Sequence, residues 1–439
     1  MKLINTHVPD AYMDEIFHYP MTQRYFNGNF TYWDPKITTF PGLYVVGSFF
    51  CKIQEGISTL LGFTEEYQCF LISLRWMNLI LLFCTGVVMY VIMRIANPET
   101  KPVKSFLWAI HVISIPTIIS PFFLYYTDGL SLFYSVVSVL FLLLSKRGFE
   151  LPFVLSSAVF TALAVTVRQT NIILAVMNPA ILLLQRYGLL YRSNKYPTFF
   201  SQLLHLFSML FSELKTAIKI VAPFVVILLL FVLFFIMNGF SVVLGDKEHH
   251  SISLHVMQIC YFSVFFCCVF CDEIVLRLYK RWKNADRKEI HRNSIRFLFY
   301  CLFVALCMKR YFIVHPFILS DNRHFVFYLF KDIILPFKYY LIPVFACSLM
   351  IMVDVVMSEL SSFMCFILAV LFGLILVSSP VVEFRYFTLP IVLLVCLVKP
   401  KAHPILSMIF SGSLNGIVIY LFVFRPFTWG DGSVARFMW

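Results

Sequence analysis

Residues 12–44 read YMDEIFHYPMTQRYFNGNFTYWDPKITTFPGLY, and almost everything after them is apolar. Asp14, Glu15, His18, Gln23, Arg24, Trp33, Asp34 and Lys36 fall within 23 residues. No core-packing pattern needs that mixture of ionisable and aromatic side chains. A site that binds something polar beside a membrane does. Sixty per cent of the 439 residues are hydrophobic, 50 are Phe, and only 13% are charged. Soluble domains average about 45–50% apolar and about 25% charged. The fold class expected is therefore an all-α polytopic membrane protein, one helix bundle with no separate soluble domain.

Apolar runs able to cross a hydrocarbon core of roughly 30 Å lie at 70–93, 106–126, 129–145, 151–167, 171–186, 217–238, 256–275, 295–314, 335–357, 361–379, 386–399 and 404–424. That is about twelve transmembrane helices. Segment 43–61 carries Lys52, Gln54 and Glu55 and is expected to lie along the membrane surface. Residues 1–69 thus form a first loop with short surface helices, and 70–439 form the bundle. Pro116, Pro121, Pro223, Pro336 and Pro343 are expected to kink helices.

The connections are of two kinds, and they alternate. One kind is basic: Arg94/Lys101/Lys104, Lys146/Arg147, Arg186/Arg192/Lys195, the run Arg277–Arg296, and Lys399/Lys401. The other is mixed in charge and rich in His, Asp and aromatics, near 125–128, 168–171, 239–255, 315–334, 380–386 and 425–439. Residues 357–362 fit neither kind clearly. Basic loops stay in the cytosol, so the mixed loops and residues 12–44 share the opposite, lumenal side. The same rule accounts for the net charge of +12 without nucleic acid. Met1–Tyr12 lacks the apolar core of a signal peptide, and Arg436-Phe437-Met438-Trp439 is not a retrieval signal. Of the 12 cysteines, Cys84, Cys260, Cys267, Cys268, Cys301, Cys365 and Cys396 lie in apolar runs, and reduced, packed thiols are expected. Asn29-Phe30-Thr31 is the one glycosylation sequon, on the lumenal side.

Chemistry is sought in the lumenal loops. If the stretch from Met13 is helical, Asp14 and His18 share a face one turn apart. A carboxylate near an apolar boundary gains affinity for protons, which suits a general base. Asp14 is equally well placed as a solvated helix-start acid. Arg323 and His324 are able to grip a phosphate, or Arg323 to pair with Asp321. Arg385, beside Glu383 and Tyr386, is able to bind a lipid head group or to snorkel to the interface. Asp246 and Lys247 precede His249 and His250. With His255 these invite a metal site, but they lack a helical His pair with a carboxylate third ligand, and a polar loop explains them. Asp128 is a good helix-start acid. Arg168-Gln169-Thr170-Asn171 caps a helix, with a place on the cavity wall left open. Trp33, Trp429 and Tyr386 read as interfacial aromatics, though sugars stack on such rings. Nucleotide, ATPase and serine-hydrolase motifs are absent from the sequence.

Residues 12–44 closely resemble the first lumenal loop of the eukaryotic dolichyl-phosphate-glucose-dependent α-1,2-glucosyltransferases, which add the terminal third glucose to the lipid-linked oligosaccharide in the endoplasmic reticulum. RQTNI at 168–172, GDKEHH at 245–250, HPFILSDNRHFVFY at 315–328, VEFRYF at 382–387 and the terminal RFMW follow the same family's pattern in the same order. The resemblance implies a GT-C glycosyltransferase fold with a lumenal site and a dolichyl phosphate glucose donor. It implies inversion of the transferred sugar, no required metal and no further cofactor. Its partners would be the donor, the dolichyl-diphosphate-linked oligosaccharide and membrane lipids, and a monomer is expected.

It also implies a first-loop carboxylate as base, hence Asp14, with Glu15 the nearest rival. Arg323, His324 and Arg385 are assigned to the donor phosphate on charge and side of the membrane. His18, Gln23, Arg24, Trp33, Asp34, Asp246, Lys247, Asp321, Glu383 and Tyr386 are candidates for substrate contact. The family places a transmembrane helix before this loop. Here only Met1–Ala11 precede it, without an apolar run, so that usual first helix is expected to be missing. The rival readings are a lipid or sugar transporter, which predicts charges near the midplane and repeated halves, and a non-catalytic channel-regulating homologue.

Overall fold

The computed structural model describes residues 1–63, 67–145, 151–247, 253–284, 286–379 and 381–438. Among these described residues, six helices are long and apolar enough to cross a bilayer: Leu71–Ala96, Thr127–Leu144, Leu214–Met237, Arg287–Arg310, Ile342–Glu359 and Ile405–Phe424. Two bent pairs raise the number to eight. Pro102–Ser114 meets Pro116–Phe122 at 66°, and Met257–Val269 meets the helix beginning at Cys271 at 84°. Helices Leu151–Val167, Ser362–Leu376 and Phe384–Val398 are apolar but shorter. The chain is thus an all-α polytopic membrane protein with six to eight candidate spans.

The 66° bend falls where the sequence places Pro116, since a proline removes a backbone donor and cannot continue the preceding turn. The 84° bend falls at Phe270, where no proline or glycine announces it. There His111 Nε2 lies 3.0 Å from the Val269 carbonyl, and Asp272 accepts from the backbone N–H groups of Leu406 and Ser407. Contacts with other helices hold the chain in its new direction. The basic run Arg277–Arg296, expected as a loop, is mostly helical, within Cys271–Asn284 and Arg287–Arg310. Asp286 caps the second of these by accepting from the Glu289 N–H at 2.6 Å.

The basic side is knitted by ion pairs. Glu273 pairs with Arg277, which also reaches Glu359 at 2.7 Å. Lys401 meets the same Glu359 at 3.0 Å, and Asp354 takes Arg281 and Arg296. The 357–362 connection therefore sits among the basic connections.

The opening stretch forms helices Lys2–His7, Glu15–Phe26 and Gly42–Leu60. The third leaves Val45, Phe49, Ile53, Ile57 and Leu60 exposed along one face, as a surface-lying helix requires. Its other face packs closely: a Cβ on Gly47 would meet the Tyr125 hydroxyl at 2.2 Å, and one on Gly42 the Thr166 carbonyl oxygen at 2.5 Å. Cys51 and Cys69 are joined in a disulfide, which corrects the reading of every cysteine as a reduced thiol. Both lie outside the long apolar runs, in the stretch read as lumenal. At the other end, Phe427–Thr428 and Val434–Ala435 form a two-stranded antiparallel ribbon, the one departure from all-α among the described residues.

Candidate active site

A cavity of about 300 Å³ opens between the first loop, the bend at Pro116–Phe122, the 317–327 segment and residues 381–386. Asp14, Tyr126, Asp321, His324, Glu383, Arg385 and Tyr386 line it, with Met13 and Met438 at one wall. These come from five separate stretches of sequence, all on connections of the mixed, non-basic kind.

Arg385 is the hub. Its guanidinium reaches Asp14 at 3.1 Å, Asp128 at 3.6 Å and Glu383 at 2.7 Å. It also lies 5.6 Å from the centre of the Tyr126 ring. Asp128 in turn pairs with Arg168. Three carboxylates therefore face two guanidiniums, and the Arg385 charge is divided among three acids.

The Asp14 side chain is 39% exposed, towards the cavity. Burial pushes its carboxyl group up, but the Arg385 charge, then His18, pull it down, and the outcome lies below the usual aspartate value. The expectation that an apolar boundary raises its proton affinity is corrected: desolvation acts as expected and the cation outweighs it. His18 is buried, with Nδ1 2.8 Å from the Tyr44 hydroxyl. Burial lowers its pKa more than Asp14 and Asp128 raise it, so its ring is neutral near pH 7.

Asp14 is held from behind. Its N–H donates to the Tyr126 hydroxyl at 3.3 Å. Residue Met13, before it, adopts φ 55°, a left-handed conformation that costs a side-chain-bearing residue on the order of 1–3 kcal/mol.

Glu15 does not reach the cavity. It is fully buried and pairs with Arg75 at 2.6 Å. Its oxygens accept from Arg75 Nε at 2.8 Å, the Tyr125 N–H at 2.6 Å and the Tyr12 N–H at 3.1 Å. A carboxylate with every lone pair engaged by buried donors has none left for a substrate hydroxyl. Glu15 is thereby removed as the rival base. Arg75 was the missed signal: an arginine inside an apolar run needs a buried acid.

Arg323 also lies off the cavity. It makes two bonds to Asp321, at 2.9 and 2.7 Å, and stands 4.5 Å from the centre of the Trp429 ring. Asp321 and His324 do line the cavity, 3.6 Å from each other.

Several other candidates pack elsewhere. Gln23 donates to the Tyr19 hydroxyl at 2.7 Å, and Arg24 covers the Tyr32 ring. Trp33 meets Tyr44 in a tilted ring contact at 5.8 Å, and Asp34 caps the Lys36 N–H. Asp246 N–H donates to the Pro35 carbonyl and Lys247 to Asn238. These residues form the outer wall of the first loop and its contact with the 238–247 turn. His249 and His250 lie outside the described residues. Asn29 is exposed, and its side-chain oxygen accepts from Thr31.

The sequence reading underrated Asp128 and Arg168. They sit 40 residues apart on two connections of the mixed kind, of opposite sign, which is the available clue. Tyr126 and Met438 carry no such clue.

The DIE2/ALG10 family profile matches residues 8–396. A Candida albicans relative named Dol-P-Glc:Glc(2)Man(9)GlcNAc(2)-PP-Dol alpha-1,2-glucosyltransferase is 31% identical across 97% of this chain and 92% of its own. One of the same name from Arabidopsis thaliana is 29% identical, across 100% and 96%. Among solved structures, the apo oligosaccharyltransferase of Archaeoglobus fulgidus aligns with 93% of this chain and 54% of that one, at 12% identity and a TM-score of 0.33.

Proposed function

The chain belongs to the DIE2/ALG10 family, and from that premise we propose that it transfers glucose in α-1,2 linkage from dolichyl phosphate glucose to a diglucosylated, dolichyl-diphosphate-linked oligosaccharide. The reaction is the last glucosylation of the N-glycan precursor, in the lumen of the endoplasmic reticulum. The fold is GT-C with twelve passes, in which the two bent pairs, the three shorter apolar helices and helix Leu174–Arg186 each count as one crossing.

The observation that carries this reading is the contact of Asp14 with Arg385 in a single cavity built from mixed-charge connections. Asp14 takes the proton from the acceptor hydroxyl as that oxygen attacks the anomeric carbon of the donor. The bond from that carbon to the phosphate oxygen breaks, and its electron pair leaves with dolichyl phosphate. A phosphate is already a good leaving group, so one base and cations facing the phosphate suffice. Attack opposite the leaving phosphate turns a β-linked donor into an α-linked product.

Arg385 and His324 receive the phosphate. In the resting protein Arg385 also neutralises Asp14. A donor phosphate that draws the guanidinium away leaves Asp14 with less compensation, raising its basicity at the moment it is needed. Glu383, Asp128 and Arg168 hold Arg385 in reach of both. Asp321, Tyr386 and Tyr126 shape the sugar-facing wall, and Glu15 with Arg75 anchors the loop.

The test is donor choice. In microsomes lacking the endogenous activity, the protein should glucosylate the diglucosylated acceptor from dolichyl phosphate glucose and fail to do so from a nucleotide sugar alone when dolichyl phosphate glucose synthesis is blocked. Transfer under that block would reject the lipid-donor reading.

A further inference from the structure

The C-terminal strand threads back into the site. The Arg436 N–H donates to the Tyr12 hydroxyl at 2.7 Å, and that hydroxyl donates to the Arg436 carbonyl at 2.8 Å. The Arg436 guanidinium caps the end of helix Ile405–Phe424, bonding the Phe422 and Val423 carbonyls at 2.9 Å and the His7 carbonyl at 2.8 Å. Two residues on, the Met438 N–H donates to the Arg323 carbonyl and the Met438 carbonyl accepts from the Phe325 N–H. The tail thus grips both residues that flank His324.

Tyr12 is two residues before Asp14, with the left-handed Met13 between them. Such a backbone persists only where its surroundings over-determine it. The fixed points are visible: the Tyr12 N–H on Glu15, the Tyr12 hydroxyl on Arg436, and the Asp14 N–H on Tyr126. The first belongs to the buried Arg75 pair and the third to the cavity wall. The second comes from a segment 424 residues away.

We propose that Arg436 is a positioning residue for glucose transfer: its guanidinium fixes the tail against the end of helix Ile405–Phe424, its backbone N–H and carbonyl hold the Tyr12 hydroxyl, and that hydroxyl clamps the strained Met13 turn that presents Asp14 to the cavity. The inference rests on the reading of Asp14 as the base. Arg436 touches no substrate, and its effect passes through Tyr12 and Met13.

Tyr12→Phe removes one oxygen and keeps the ring packed on Phe422, 5.6 Å away. It should lower kcat on the order of tenfold or more, because small misplacements of a reacting group are costly, with little change in donor KM. Arg436→Ala keeps the backbone groups that meet Tyr12 but frees them from the helix end, so it should lower kcat in the same direction by a smaller factor, and Arg436→Lys should recover part of the loss. The decisive variant is Met13→Gly in the Tyr12→Phe background. Glycine adopts the left-handed turn without strain, so the clamp becomes less necessary and turnover should rise above that of Tyr12→Phe alone. Full kcat in Tyr12→Phe and Arg436→Ala, at matched insertion, overturns the proposal. So does a loss that Met13→Gly does not relieve. Failure of the unaltered protein to transfer glucose would instead reject the parent reading.

Discussion

The Arg385 guanidinium lies 3.1 Å from the Asp14 carboxylate, across 371 residues of sequence. The same guanidinium faces Asp128 and Glu383. A cation divided among three acids is held firmly in place yet committed fully to none. That arrangement suits a group that must serve first a carboxylate and then a phosphate.

Removing the cation should therefore be felt at the donor. Arg385→Ala is expected to raise the KM for dolichyl phosphate glucose at least tenfold, the equivalent of one charge-assisted hydrogen bond of about 1.5–3 kcal/mol. Acceptor KM should change less. Initial rates against each substrate in turn separate the two, and an unchanged donor KM rejects the phosphate role.

The pH dependence has a definite sign. Asp14 must be deprotonated to act as a base, and Arg385 with His18 holds its carboxyl below the usual value despite burial. The acid limb of kcat/KM, which reports the free enzyme, should fall at a pH below an ordinary aspartate's ~3.9. In Arg385→Gln the largest opposing charge is gone, and the limb of the residual activity should move to higher pH. A limb that stays put, or moves lower, rejects the coupling.

Glu15 and Arg75 should separate stability from chemistry. Their side chains are 0% and 1% exposed, so Arg75→Ala leaves a buried carboxylate without its counter-ion. Breaking such a pair typically costs ~3–5 kcal/mol. Thermal unfolding of the detergent-solubilised protein should shift down by several degrees, with less inserted protein in cells. A normal melting temperature in Arg75→Ala contradicts the structural role.

Much of this was legible in the sequence, and unevenly so. Composition located the apolar runs, because a bilayer leaves little choice of backbone. The alternation of basic and mixed connections gathered the candidate residues onto one side. What a linear reading could not supply was direction. Asp14 and Glu15 are neighbours, yet successive positions on a helix point about 100° apart, so one faces the cavity and the other Arg75. Arg323 and Arg385 both looked like phosphate ligands. Their difference depends on Trp429 and Asp321 claiming one, and on Asp14, Asp128 and Glu383 claiming the other. The bend at Phe270 is set by helices distant in sequence. The Cys51–Cys69 bond depends on two segments brought together by folding.

Sidedness is the next test. A glycosylation reporter inserted at the junction of the two basic helices, near residue 285, should remain unmodified, as a cytosolic position must. One placed beside residue 430 should be modified. Modification at 285 would put the basic connections in the lumen and invert the whole arrangement.

The most direct measurement is glucose transfer by Asp14→Asn. This change keeps the shape of the side chain and removes its capacity to take a proton. With dolichyl phosphate glucose and the diglucosylated acceptor both saturating, transfer should fall by about 10²–10⁴, the usual contribution of a general base, while insertion and donor binding persist. Turnover within a few-fold of the unaltered protein would contradict the account, because the base would then lie elsewhere.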